Sequence, residues 1–200
     1  EFDAINSLQY FSSIEKLVIL PGDFRGQDLS FLQRHPVKYL KLDYYSDTID
    51  EFSLDLLAFP YLELLFSRSS RNFSGISNCG RLKALIVQEW WEDDFCPLAG
   101  TELSALGVFS GKLKSLHGVE LLPNLRSLSI SYQRLLADCN ALSSCKQIEK
   151  LKIAKCPKID FMRLPELPHL SYLSLSSNQS VENLCFIRTF PDLKSCILEI

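Results

Sequence analysis

Apolar residues recur along this chain in a fixed spacing, apolar-x-x-apolar-x-apolar. Nine segments follow it, beginning at Ile14, Val37, Leu62, Leu82, Leu103, Leu125, Ile148, Leu170 and Leu193. Successive starts lie 23, 25, 20, 21, 22, 23, 22 and 23 residues apart. Within a segment, alternation of period 2 puts Leu128 and Ile130 on one face of a short strand and Ser127, Ser129 and Ser131 on the other. Between segments, a period in the low twenties is that of a solenoid with one strand per repeat. A single repeat cannot bury its apolar side, whereas a stack of repeats makes a continuous core. The spacing predicts parallel strands in one curved sheet. Leu17, Leu40, Leu65, Leu85, Leu106, Leu128, Leu151, Leu173 and Cys196 are expected to be buried in it.

The remainder of each repeat has a different rhythm. After Leu103, Leu106 and Val108 come Leu113, Leu116, Val119 and Leu122, apolar at about every third residue. That spacing predicts 3₁₀ turns or short helices on the convex side. Proline then recurs shortly before or at the start of the next segment, in His35-Pro36, Phe59-Pro60, Leu122-Pro123, Leu167-Pro168 and Phe190-Pro191. Proline disfavours helix in the residue before it, so it ends the convex turn and begins an extended segment.

These residues resemble the 22-residue class of leucine-rich repeats found in internalins and in intracellular phosphatase regulators. The resemblance is carried by KLKSLHGVELLPNLRSLSI, from Lys112 to Ile130, and by the pattern L-x-x-L-x-L-x-x-N/C. Leu170, Leu173, Leu175 and Asn178 meet that pattern, as do Ile148, Leu151, Ile153 and Cys156. The resemblance implies an α/β leucine-rich-repeat solenoid, with a curved parallel sheet on the concave face and 3₁₀ turns or short helices on the convex face. It also implies that Asn178 and Cys156 bond loop backbone inside the solenoid. Other repeats depart at that position, which holds Gly22, Tyr45, Ser70, Trp90, Gly111 and Gln133. The interior polar ladder is therefore expected to be broken there. Members of such a family share a scaffold and not an activity.

Composition narrows the reading. The chain is 46% hydrophobic with a net charge of −3, and the repeats run through residues 1–200 as a single domain of about nine repeats. It opens on Glu1-Phe2, and Ile5, Leu8 and Phe11 already show the convex spacing. The ends are thus either self-capped or cut from a longer protein. No basic cluster reaches a nucleic-acid footprint, since Lys146, Lys150, Lys152, Lys155 and Lys158 read as a solvated face. No apolar run approaches the roughly 20 residues of a membrane span. The seven cysteines contain no C-x-x-C pair and no terminal cluster, and read as mostly buried, reduced thiols of a cytoplasmic protein. Two glycosylation triplets, Asn72-Phe73-Ser74 and Asn178-Gln179-Ser180, point the other way.

Catalysis finds little support. His35, His117 and His169 fall in convex halves at different levels, and no phosphate loop, H-E-x-x-H or G-x-S-x-G occurs. No enzyme activity, cofactor or metal is expected. The register instead lays out a concave surface. Leu64, Phe66, Ile86 and Phe109 form an apolar middle, followed by a polar half with Ser127, Ser129, Ser131, Lys150, Lys152, Tyr172, Ser174 and Ser176. At the rim after the fourth segment stands Trp90-Trp91-Glu92-Asp93-Asp94-Phe95, and Asp43 and Tyr45 lie at the equivalent rim after the second. Trp is enriched in binding hot spots, and acids favour a basic partner. Asp43, Tyr45, Phe66, Trp90, Trp91, Glu92, Asp94 and Phe109 are the expected contact residues. The chain reads as a protein-binding module, of inhibitor or immunity type, monomeric apart from its protein partner. The alternative is the substrate-recognition domain of a larger enzyme such as a ubiquitin-ligase effector.

Overall fold

The computed structural model describes residues 13–19, 35–42, 54–176 and 183–199. Nine strands form one parallel sheet: β1 (Lys16–Ile19), β2 (Tyr39–Leu42), β4 (Leu64–Ser69), β6 (Ala84–Trp90), β7 (Ala105–Gly111), β8 (Ser127–Ser131), β9 (Lys150–Ala154), β10 (Tyr172–Ser176) and β11 (Ser195–Glu199). They lie side by side in chain order. Two short strands on the connecting side, β3 (Leu54–Asp55) and β5 (Phe73–Ser74), pair with each other. Among the described residues the other face holds only 3₁₀ turns of three to five residues.

The sheet register follows the apolar spacing. Leu17, Leu40, Leu65, Leu85, Leu106, Leu128, Leu151 and Leu173 stand in one lateral row, and all eight are buried. Cys196 continues the row but is exposed, which corrects the expectation for it. The reason is its position: β11 is the outer strand of the sheet, paired only with β10, so its inward side is covered from one direction. The third repeat departs differently. It ends its pattern on Ser67, which is fully buried and donates to the Ser69 carbonyl at 3.1 Å. A buried hydroxyl that finds backbone costs little.

Two local devices recur in the turns. The first is proline. Leu122 sits at φ −109°, ψ 82° ahead of Pro123, and the Leu125 amide reaches back across the proline to the Leu122 carbonyl at 3.1 Å. Phe59-Pro60 and Phe190-Pro191 repeat that bond at Leu62 and Leu193. The second is a short polar cap that the periodic reading passes over. Asp55, Asp94, Ser115, Asp138, Asp160 and Asn183 each accept, through a side-chain oxygen, from the backbone N–H two residues on, at 2.9–3.0 Å. Such caps satisfy donors that a 3₁₀ turn leaves free.

The residue before each interior ladder position also matters. Tyr132 (φ 55°) and Lys155 (φ 54°) are neighbours across β8 and β9, and both take the left-handed conformation. That twist carries Gln133 and Cys156 inside. The Cys156 thiol donates to the Ala154 carbonyl at 3.4 Å, in line with a loop-bonding role. Asn178, the other ladder residue, lies outside the described residues, as do Gly22 and Tyr45.

Leu128 is central and 1% exposed, so Leu128→Ala is expected to destabilise the protein by about 2–5 kcal/mol in a urea titration. Cys196→Ala, at the outer strand, should change stability by less than about 0.5 kcal/mol. Equal losses at the two positions would overturn this account of the core.

Candidate functional site

Trp90 closes β6 at the ladder position and is 1% exposed. Its indole N–H donates to the Asp94 carbonyl at 2.9 Å, and its ring tilts against Phe95 with centroids 5.3 Å apart. Trp90 is thus a core residue, which corrects its expected place on the contact surface. The next repeat is shaped around it. Gly111 has φ 134°, and a Cβ there would lie 1.8 Å from the Trp90 carbonyl oxygen. That same oxygen accepts the Lys112 N–H at 2.7 Å. One repeat carries the largest side chain at this level and its neighbour carries none.

The expected break in the polar ladder stands at Gly111, which has no side chain, and at Gln133, whose buried amide has no hydrogen-bond partner among the described residues, and is corrected at Ser70 and Trp90. Ser70, at the equivalent level of β4's repeat, is buried and accepts the Trp91 N–H at 3.0 Å. Ser70 and Trp90 therefore bond loop backbone in place of asparagine.

Trp91 is half-buried at the rim. The Arg71 guanidinium lies 3.9 Å and the Lys112 ammonium 4.8 Å from its ring centroid. Cations this close to an indole are attracted to its π-face. Sequence reasoning missed both partners. The signal lay in the strand order: Arg71 and Lys112 follow β4 and β7, the two strands that flank β6.

The neighbouring acids are largely engaged. Asp93 pairs with Lys114 at 2.8 Å, and Asp94 caps the turn at Cys96. Glu92 is exposed and makes no bond to another described residue. This rim is therefore a cation-flanked indole with one free carboxylate rather than an open acidic patch. Asp43 and Tyr45 lie outside the described residues.

Phe66 and Phe109 project from the concave face. Phe66, on β4, is half-buried with the Lys41 ammonium 4.8 Å from its ring centroid. Phe109, on β7, is 41% exposed. Ile86, half-buried, stands on the strand between them. Gly107 keeps the floor low beside them, since a Cβ at that position would already touch Ile86 at 3.6 Å and Phe109 at 3.9 Å.

Catalytic convergence is absent among the described residues. His117 pairs with Glu120 at 2.6 Å and His169 approaches Asp192 at 3.5 Å, but they belong to different repeats. His35 is buried. No described group of three or more His, Cys, Asp or Glu could hold a metal ion. No helix is long and apolar enough to cross a membrane. A groove of about 280 Å³ exists, but it lies between convex turns, lined by Leu56, Phe59, Leu62, Cys79 and Arg81, away from the expected contact residues.

All seven cysteines are free thiols. Cys79, Cys145 and Cys156 are buried, Cys96 and Cys139 are half-buried, and Cys185 and Cys196 are exposed, so the expectation of mostly buried thiols is only partly met. Burial first, then Asp138 and Cys156, pushes the Cys139 thiol up to about 12. Burial, then Asp55, raises Cys79 to about 11. Burial, then Glu120, raises Cys145 to about 11.

Solved structures place this architecture. An internalin (inlF) from Listeria monocytogenes superposes with a TM-score of 0.61 at 18% identity, over 86% of this chain and 57% of that one. An internalin C2 (inlC2) from the same organism gives 0.55 at 16% identity, over 74% and 66%. No family model and no curated protein matches the sequence. The fold is a leucine-rich-repeat solenoid of the internalin kind, and this chain spans about three-fifths of the length of those two proteins.

Trp90→Ala is expected to cost about 3–5 kcal/mol of stability through lost burial and a cavity, while Trp91→Ala costs under about 1.5, measured by denaturant titration. Thiol chemistry gives a second check. At pH 8 the native protein should react first at Cys185 and Cys196, while Cys79, Cys139 and Cys145 react only on unfolding, because their raised pKa values keep them protonated. Mass-spectrometric mapping of alkylated sites that finds Cys139 among the earliest would contradict the packing described.

Proposed function

We propose that the chain is a non-catalytic module that holds another protein on its concave face and the adjoining rim. The observation that carries this reading is Phe109, 41% exposed on a rigid parallel sheet beside Ile86 and Phe66. Apolar residues kept in solvent on a scaffold whose core is already filled have no stabilising task, and they fit the anchors of an interface. The contact set is Phe66, Trp91, Glu92, Asp94 and Phe109. The finer reading is an inhibitor or immunity-type protein, one that occupies a partner's surface and transforms nothing. The solenoid supports it by presenting a broad open surface rather than an enclosed cleft. A protein kept in reducing conditions fits the unpaired thiols.

The test begins with a partner captured from native lysate, identified by mass spectrometry and titrated as a purified protein. Phe109→Ala and Trp91→Ala should each weaken binding by about 2 kcal/mol, or roughly thirtyfold. Full affinity in both variants, each with a wild-type unfolding midpoint, would remove this site from the proposal.

A further inference from the structure

The charges on this sheet are distributed unevenly, and the imbalance names a partner chemistry. The column just before the strands is nearly balanced, with four cations against three acids. It runs Glu15, Lys38, Glu63, Lys83, Ser104, Arg126, Glu149, Ser171 and Lys194. Within it Lys38 pairs with Glu15 at 2.9 Å, Lys83 with Glu63 at 3.3 Å and Arg126 with Glu149 at 2.7 Å, each bridging adjacent repeats. The concave columns beside it are not balanced. Their described charges are Lys16, Lys41, Arg68, Lys150, Lys152 and a single acid, Glu199 on the outer strand.

Most of those cations have partners. Lys16 lies over the Tyr39 ring at 5.0 Å, Lys41 over Phe66, and Arg68 approaches Glu89 at 3.8 Å. Lys150 and Lys152 do not. Both are exposed on β9 and neither bonds to a described residue. Their sequence neighbour Glu149 is held by Arg126 on the column outside. Side chains two apart on a strand share a face, so the two ammonium groups rise together, roughly 7 Å apart at their bases. Ser127 and Ser129 flank them on β8, with Tyr172 and Ser174 on β10. These are short or neutral groups that cannot neutralise them.

The same face has shape. Ala105, Gly107, Ser127 and Ser129 form a floor of small side chains across β7 and β8. Ile86 borders that floor on the β6 side, Lys150 and Lys152 border it on the β9 side, and Phe109 stands at its end, two residues beyond Gly107 on β7. Phe109 stands level with Ala154 in the sheet register, so Lys152 lies two strands across and two residues along, about 12 Å away, and Lys150 four residues along, about 16 Å away. An extended chain covers those distances in about three to five residues.

We propose that this trough takes an acidic segment of a protein partner, with an apolar side chain against Ile86 and Phe109 and carboxylates about three to five residues away on Lys152 and Lys150. The assignment rests on the protein-binding reading above and goes beyond it by giving the partner's charge, its apolar anchor and their spacing. It also moves the electrostatic centre of recognition from the rim acids to the concave lysines.

The test uses fluorescein-labelled twelve-residue peptides, titrated by polarisation at low salt. One carries a Phe with Glu three and five residues after it. A second replaces both Glu by Gln, a third scrambles the order, and a single-stranded oligonucleotide supplies phosphate charge without carboxylate. The acidic peptide should bind at least about tenfold more tightly than the Gln peptide, and the difference should shrink as salt screens the lysines. Lys150→Gln with Lys152→Gln should abolish that preference, and Lys150→Arg with Lys152→Arg should keep it. Equal binding of the Glu and Gln peptides, no binding below millimolar concentration, or tighter binding of the oligonucleotide would each overturn the proposal. The identified partner separates the two readings. Loss of its affinity on Phe109→Ala, with none on the double Lys→Gln change, would leave the binding module standing and remove the acidic segment.

Discussion

Everything in this molecule depends on strands that are apolar on one side and cannot bury that side alone. The row from Leu40 to Leu173 is dry because each leucine is enclosed by those of the repeats before and after it. The two outer strands mark the limit: Leu17 on β1 has the highest exposure of the leucines in the row, at 8%, and Cys196 on β11 is exposed. Burial here is a property of stacking, which makes stability in such chains nearly a sum over adjacent pairs. The parity that commits one side of each strand to the core releases the other side from it. The concave columns are therefore free to hold tyrosine, phenylalanine, glycine, serine or lysine without loss of the sheet.

The interior ladder shows a second constraint met in several ways. Loop backbone inside the solenoid must find hydrogen-bond partners. Ser70 meets this with a hydroxyl, Trp90 with an indole N–H and Cys156 with a thiol. The solutions are coupled between neighbours. A Cβ at Gly111 would run into the backbone of Trp90, and the conformation of Gly111 is one that only glycine adopts readily. Gln133 lies fully buried in the next repeat, and its side-chain amide has no hydrogen-bond partner among the described residues. The ladder is thus fitted locally at Ser70 and Trp90 and left open at Gln133, where a repeating asparagine would have been uniform.

Much of this was readable from residues alone. Strand positions, register and the parallel order follow from a spacing that repeats nine times, because side-chain period and repeat length are both physical periodicities. Turn location was legible through proline. The caps at Ser115, Asp138, Asp160 and Asn183 each stand ten residues before the next apolar segment, a polar period that a reading of apolar positions alone passes over, while those at Asp55 and Asp94 stand seven and nine before it. Trp90 and Trp91 could not be told apart by type. Adjacent residues leaving a strand face opposite ways, and only the ladder position assigns one of them inward. The Arg71–Trp91–Lys112 cluster joins three repeats, so it appears only when strand order turns residues 20 apart into neighbours.

Electrostatics separates scaffold from surface in the same way that burial does. Six of the seven charges in the column at the strand entrances close into pairs one repeat apart, leaving Lys194 over. Exposed pairs of that kind contribute at most about 1 kcal/mol each. Their larger effect is to keep that edge close to neutral. The acids of the rim are similarly absorbed, Asp93 by Lys114 and Asp94 by the turn it caps. Once those charges are discounted, a chain of net −3 presents an uncompensated positive centre on its concave face at Lys150 and Lys152. A net charge of one sign and a recognition surface of the other are compatible because screening limits each exposed charge to about a Debye length. What an approaching partner meets is the local arrangement, and here that is two ammonium groups across a small-residue floor from Phe109.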